Sequence, residues 1–276
     1  MNTRPAISPE LREWILATSH AGHSPQTVAE LMRAHGYDPQ RSRSIVAEVL
    51  ELPPAAVLAD ADAPLVRRTR HPAAPLAEAG DRKVKVALSM DKPALRVLDD
   101  LLSGEECEEL IALATPHLAR ALTVNATGGQ QVDHRRTSVG MFFKLGELPL
   151  VARLEQRIAE LLDIPVSHGE GLQILHYLPG QEYQPHYDWF DPEQPGYATI
   201  TARGGQRIAS VVMYLNTPEA GGGTAFPEVG LTVTALRGSA VYFAYEAGDA
   251  SSLHAGLPVQ RGEKWIATKW LRERPY

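Results

Sequence analysis

From Gln173 onward the chain reads as a succession of short strands, and that run constrains the fold more than any other feature. QILHYL (173–178), RIASVVMYLN (207–216), LTVTA (231–235), SAVYFAYE (239–246) and KWIATKWL (264–271) are rich in β-branched and aromatic residues, and Gly, Pro and Asp turns separate them. Two amphipathic helix patterns come earlier. Ser103 and Glu106 have capping-box spacing ahead of Leu110, Ile111, Ala114 and Leu118. Leu150, Leu154, Ile158 and Leu161 line a second helix that must stop before Pro165. Between them RRTSVGMFF (135–143) reads as a strand, after a polar loop over 125–131, and VKVAL (84–88) as another. Two helices followed by many short strands predict a mainly β jelly-roll whose helices buttress one sheet.

Residues 8–51 have a different grammar. Ser8-Pro9, Ser24-Pro25 and Asp38-Pro39 each set a capping side chain before a proline at the first helical position. Gly36 closes the second helix and Pro53-Pro54 the third. Leu11, Trp14, Ile15, then Val28, Leu31, Met32, then Ile45, Val49 have helical spacing. A three-helix module over 1–54 follows, similar in pattern to bundles of the ubiquitin-associated type. It reads either as a docking module for a partner or substrate or as a helical cap on the larger domain. The Ala-, Pro-, Asp- and Arg-rich stretch 55–81 has no periodicity and reads as a linker, which leaves 82–276 as the large domain.

The strand-rich region carries its chemistry in QEYQPHYDWF (181–190). In extended backbone, residues two apart project to one side, so His186 and Asp188 can converge on one ion. His254, in SLHAG, supplies a second imidazole at the start of another strand-rich run. Two His and one carboxylate leave coordination positions open, the arrangement of a non-haem Fe(II) oxygenase. Ten residues after His254 stands Lys264. A strand lysine facing into a barrel is costly to bury without an anion, and a dicarboxylate co-substrate would supply one. Lys264 and Lys269 have opposite parity, so only one of them faces inward.

A chain of 276 residues suffices for one such domain and a small module. Net charge of −6 argues against nucleic acid as a partner. Cys107 is the single cysteine, on the apolar side of the first large-domain helix, so no intrachain disulfide forms. No run is long and apolar enough to span a bilayer, and MNTRPAISPELREW lacks the apolar core of a leader. These features lead us to expect a cytoplasmic protein with no membrane partner.

Three stretches, YLPGQEYQPHYDWF, GGQRIASVVMYLNTPEAGGGTAFP and SLHAGLPVQRGEKWIATKW, together resemble the prolyl 4-hydroxylase group of 2-oxoglutarate- and Fe(II)-dependent dioxygenases. The resemblance runs from about Val84 to Arg272. It implies a double-stranded β-helix of the cupin-like kind, with His186, Asp188 and His254 as iron ligands. It also implies O2 as the second co-substrate and L-ascorbate as the reductant that rescues oxidised iron. The family's spacing selects Lys264 for the distal carboxylate of 2-oxoglutarate, leaving Lys269 solvated, and Tyr177 as a hydrogen-bonding partner of the co-substrate. Arg136, Tyr183, Arg207 and Trp270 match family residues near the peptide or its target proline. The implied reaction is hydroxylation of an unactivated C–H, of a prolyl residue in a protein or peptide as in procollagen. Hydroxylation of a free amino acid or small metabolite is the alternative on the same fold. A catalytically inactive binding protein is a third reading, opposed by the intact ligand set. Gly223 in place of an acidic residue and Leu257 in place of a common Cys depart from the pattern.

Overall fold

The computed structural model describes residues 7–20, 23, 25–52, 65–120, 122–124, 130–132 and 137–276. The chain divides into two compact units, Met1–Pro64 and Leu65–Tyr276. In the first, α1 (Pro9–His20), α2 (Pro25–Ala34) and α3 (Pro39–Val49) follow the expected punctuation. The Ser8 hydroxyl accepts from the Leu11 N–H at 3.2 Å and the Asp38 carboxylate from the Arg41 N–H at 2.9 Å, while Ser24 lies outside the described residues. Gly36 takes a φ of +88°, the left-handed conformation that ends α2 at little cost for a residue without Cβ. Ile15, Val28, Met32, Val46 and Val49 form the small core. Trp14, expected on the apolar face, is 36% exposed.

The second unit begins with β1 (Leu76–Ala79), β2 (Arg82–Met90), β3 (Ala94–Asp99) and α4 (Gly104–Ala114). Then come β4 (Ala119–Arg120), β5 (Leu122–Val124), β6 (Gln130–Val132), β7 (Val139–Phe143) and α5 (Pro149–Leu162). Next are β8 (Leu172–Tyr177), β9 (Tyr183–His186), α6 (Tyr197–Thr201), β10 (Arg207–Tyr214), β11 (Ala220–Gly221) and β12 (Thr224–Phe226). β13 (Leu231–Val233), β14 (Ala240–Ala244), β15 (His254–Gly256), β16 (Val259–Arg261) and β17 (Lys264–Arg272) complete it. A nine-stranded sheet runs β1-β2-β3-β14-β10-β17-β8-β7-β4, and a four-stranded sheet runs β13-β12-β15-β9. Every strand pairing among the described residues is antiparallel.

Strand parity decides what each face of the large sheet meets. On β10, Ala209, Val211 and Met213 join one core with Leu110 of α4 and Leu154 and Ile158 of α5. Val212 and Tyr214 join a second core with Phe226 of β12 and Val233 of β13. The large sheet therefore has helices behind it and the small sheet in front, as the element order predicts. The helix layer is locked by ions as well as by apolar contact. The capping box on α4 is present, with Glu106 N–H to Ser103 Oγ at 3.1 Å and Ser103 N–H to Glu106 Oε2 at 2.9 Å. The same Glu106 receives Arg157 of α5 at 2.8 Å, and Arg157 also reaches Asp81 at 2.7 Å.

The expected linker is shorter than 55–81. Residues 53–64 lie outside the described set, but 65–81 belong to the β unit. Leu76–Ala79 pairs with Arg82–Lys85, Thr69 Oγ1 hydrogen-bonds the Tyr242 hydroxyl, and the Arg70 guanidinium donates to the Glu160 carbonyl at 2.6 Å. A β-edge strand of only four residues, LAEA, carries too little alternation to be seen in composition. Two further elements escape notice for the same reason: the five-residue α6, inside a Pro/Gly-rich loop, and the β5–β6 pair, whose second strand takes in Gln130 and Gln131 of the expected polar loop.

Candidate functional site

Register builds the site. β15 pairs with β9 so that His254 stands opposite His186, and their rings come to 4.3 Å between centroids. Asp188, just past β9, is 6% exposed. Its Oδ1 lies 3.7 Å from His186 Nε2 and its Oδ2 3.6 Å from His254 Nε2. One ligand atom from each of the three residues falls within 4.8 Å of the others. The 3.6 and 3.7 Å gaps are within twice a bond of about 2.1 Å, typical of imidazole and carboxylate ligands. Both imidazoles are oriented by the backbone. His186 Nδ1–H donates to the Gln184 carbonyl at 2.8 Å, and His254 Nδ1–H donates to the Ser252 carbonyl at 3.0 Å. That tautomer leaves each Nε2 lone pair directed at the shared centre. Burial alone would raise the Asp188 carboxyl, but His254, His186, Arg207 and the Ser210 hydrogen bond hold it well below the usual carboxylate range. The donor set of two imidazoles and one carboxylate fits a divalent iron with open positions.

The same pocket holds Lys264, since the triad and Lys264 line one cavity with Ile266, Thr268 and Trp270. Lys264 is the first residue of β17 and pairs with Tyr177 at the end of β8. Its ammonium lies 5.4 Å from the Tyr177 ring centroid and 6.0 Å from that of Tyr214. It is 2% exposed and meets no acceptor among the described residues, and burial pushes it down to about 8. A buried cation facing a cavity without a counter-ion is a ready receptor for a carboxylate. Lys264, Ile266, Thr268 and Trp270 share one face of β17, as parity requires.

Lys269 faces the other way, also as parity requires, but it is not solvated. It is 2% exposed and donates to Glu155 Oε1 of α5 at 2.6 Å and to the Glu170 carbonyl. The face opposite the pocket lies under α5, so an opposite direction means another buried ion pair and not water.

A family model for the 2OG-Fe(II) oxygenase superfamily matches residues 172–272, the span that contains the triad and both lysines. Prolyl 4-hydroxylase 5 of Arabidopsis thaliana is 40% identical over 215 residues, covering 69% of this chain and 72% of the relative. This chain belongs to the prolyl 4-hydroxylase-like family of 2-oxoglutarate- and Fe(II)-dependent dioxygenases. The human prolyl 4-hydroxylase subunit alpha-1 is 39% identical over 189 residues, 67% of this chain but 35% of the longer relative. Among solved structures, the viral collagen prolyl hydroxylase of Paramecium bursaria Chlorella virus-1 in its 2OG complex superposes with a TM-score of 0.52. It is 28% identical, and the match covers 66% of this chain and 97% of that one. The double-stranded β-helix expected from sequence is the fold observed.

Against that dioxygenase frame, the substrate-side residues separate. Tyr183 stacks on His186 at 3.6 Å between ring centroids and, like Trp270, lines the pocket. Arg207 is held by Glu170 through bonds of 2.6 and 2.9 Å, and its guanidinium lies 4.1 Å from the Trp270 ring centroid. Its immediate partner is thus another side chain of the enzyme. Arg136 lies outside the described residues. The Gly223 departure has a local reason: a Cβ there would come within 3.0 Å of Thr232 Cγ2 and of the Val233 carbonyl. The structure gives no account of the Leu257 departure. Sequence reasoning passed over Ser210, Tyr245 and Glu170. The available signal was a polar residue at a pocket-facing position in the otherwise apolar RIASVVMYL; Tyr245 and Glu170 lie at strand ends, where polarity carries no information.

Proposed function

We propose that this dioxygenase hydroxylates a prolyl residue in a protein or peptide. His186, Asp188 and His254 hold Fe(II), and Lys264 and Tyr177 hold the 2-oxoglutarate. The observation that carries the reading is the His/Asp/His triad in one buried pocket with a lysine that meets no counter-ion among the described residues. The prolyl substrate is supported by the names of the relatives, which are prolyl 4-hydroxylases. When bound, Fe(II) with 2-oxoglutarate and O2 supplies the oxidation, releasing succinate and CO2 and delivering one oxygen atom to a C–H bond.

The chain's own contributions are orientation, charge and dryness. Backbone carbonyls fix both imidazoles with Nε2 turned towards Asp188. Asp188 contributes the anionic ligand. Lys264 pairs with the distal carboxylate of the co-substrate, and Leu175, Val212 and Ile266 line the pocket with apolar surface that excludes water from the reacting centre. The ring faces of Tyr183 and Trp270 suit a proline ring, and in this reading Arg136 and Arg207 act on the peptide side, Arg207 through its contact with Trp270. L-ascorbate is the reductant for iron oxidised in uncoupled turnover. The N-terminal helices, with Trp14 and Leu16 exposed on α1, serve as a docking module. No helix among the described residues is long and apolar enough to cross a membrane, and the cytoplasm is the compartment we propose for an enzyme whose one cysteine, Cys107, is a buried thiol.

Hydroxylation of a free amino acid would use the same iron and co-substrate residues, so the substrate is what must be tested. Full-length enzyme with Fe(II), 2-oxoglutarate, O2 and ascorbate is given poly-L-proline, other proline-containing peptides, or free proline. Succinate is measured beside peptide mass. Peptide-stimulated succinate, matched by the mass of one oxygen atom on the peptide, is the expected result. Stimulation by free proline alone would replace the peptide with a metabolite.

A further inference from the structure

Behind the triad, Asp188 is held by a chain of hydroxyls that ends on a residue far along the sequence. Ser210 Oγ lies 2.6 Å from Asp188 Oδ2, and the Tyr245 hydroxyl lies 2.9 Å from Ser210 Oγ. The direction of both bonds follows from proton count. A carboxylate only accepts, so the one hydroxyl proton of Ser210 goes to Asp188, and Ser210 in turn accepts from Tyr245.

Ser210 is fully buried on β10, opposite Phe243 of β14 and Trp270 of β17. Its parity partners Val212 and Tyr214 pack in the apolar core in front of the sheet. An apolar residue would fill that position without a hydroxyl to satisfy, and a buried hydroxyl costs stability unless it is paired. Tyr245 follows β14, 5% exposed, and its N–H bonds the Ile208 carbonyl at 3.1 Å, so its phenol is anchored at the backbone of the strand that carries Ser210. The Tyr245 hydroxyl thus finds its partner in Ser210, and the Ser210 hydroxyl finds its partners in Tyr245 and Asp188.

We infer that Tyr245 and Ser210 are positioning residues that preset the Asp188 carboxylate for the metal. This rests on the assignment of Asp188 as an iron ligand. Ligand carboxylates held from behind in this way bind metal without reorganising, and removing such a partner typically costs about 10- to 100-fold in metal affinity or activity.

The test reads metal affinity directly. Full-length apo-protein is titrated anaerobically with Co(II), followed by the visible absorption of the bound ion, in wild type and in Ser210→Ala, Ser210→Thr, Tyr245→Phe and Asp188→Ala. Ser210→Ala is expected to weaken Co(II) binding by about 10- to 100-fold, Ser210→Thr to restore it, and Tyr245→Phe to fall between. With Fe(II), kcat should fall in Ser210→Ala while the KM for 2-oxoglutarate stays, because Lys264 is untouched. Wild-type Co(II) affinity in a folded Ser210→Ala overturns the inference. If Ser210→Ala does not fold, Tyr245→Phe decides, since it keeps the ring and removes only the donor: unchanged affinity and spectrum there overturn the chain. Wild-type affinity in Asp188→Ala would instead overturn the ligand assignment itself.

Discussion

Lys264 and Lys269 stand five residues apart on one strand, are both 2% exposed, and have opposite surroundings. Lys264 has a cavity before it and two tyrosine rings beside it, while Lys269 has a carboxylate and a carbonyl. Truncating one partner of a buried charged pair costs about 3–5 kcal/mol, which is roughly two to four decades in affinity. Lys264→Ala should lose that much 2-oxoglutarate binding while keeping its metal, and anaerobic titration of the Fe(II) protein measures it. Equal losses in Lys264→Ala and a folded Lys269 variant would break the parity argument. The pH dependence follows from the same burial. With Lys264 near 8 when folded and 10.5 when unfolded, the unfolded chain binds more protons between those values. Burial of the charged lysine therefore costs stability in full below pH 8, by about 3 kcal/mol, and the cost is relieved as pH rises towards 10.5. Co-substrate binding runs the other way: in the proposed site the dicarboxylate pairs with the ammonium, so its affinity should fall by up to about tenfold per pH unit above 8. Flat binding between pH 7 and 9.5 would contradict this. That the two lysines face opposite sides was legible in the sequence because strand parity is local, and which of them faces the pocket was legible through the family's spacing. The environment of Lys269 was not, because nothing local says which face lies under a helix.

At the level of elements, the pairing of Lys269 with Glu155 fastens α5 to β17. Glu155 is 2% exposed, and its other oxygen accepts from the Gly146 N–H at 2.8 Å. Lys269→Met should destabilise the protein by about 3–5 kcal/mol, because it strands a buried carboxylate. Adding Glu155→Leu should recover much of that, since apolar pairs replace buried ion pairs at little cost. Denaturant melts of the two variants check it, and a double variant no better than the single would mean that the Gly146 bond carries the effect. The helices and long strands were readable from period and punctuation: the Ser103–Glu106 box, Pro165 beyond the end of α5, and the β-branched and aromatic content of β10 and β17. Short elements were not. β9 and β15, which bring His186 and His254 opposite each other, have four and three residues. They are strands because of their partners, and their pairing is a long-range fact that no window of sequence contains.

Across the whole molecule, the linker boundary moves to Leu65, and that changes where the chain can be cut. A protein beginning at Leu65 keeps Thr69 on Tyr242, Arg70 on the end of α5, and β1. It should fold and consume 2-oxoglutarate. One beginning at Arg82 loses all three together with Asp81, whose carboxylate completes the Arg157 network. It should melt well below the first, and equal melting temperatures would return the boundary to residue 81. Charge and composition bounded the class of protein, but the site was legible through spacing. His186, Asp188, His254 and Lys264 arrive in the order and at the intervals that two strand pairings convert into one pocket. In the proposed function this pocket holds iron at the triad and the co-substrate's far carboxylate at Lys264. An anaerobic crystal structure with Mn(II) and 2-oxoglutarate tests it most directly. One anomalous peak bonded to His186, Asp188 and His254 is expected, with the distal carboxylate paired to the Lys264 ammonium. Metal at any other residues, or 2-oxoglutarate bound with Lys264 left unpaired, would contradict it.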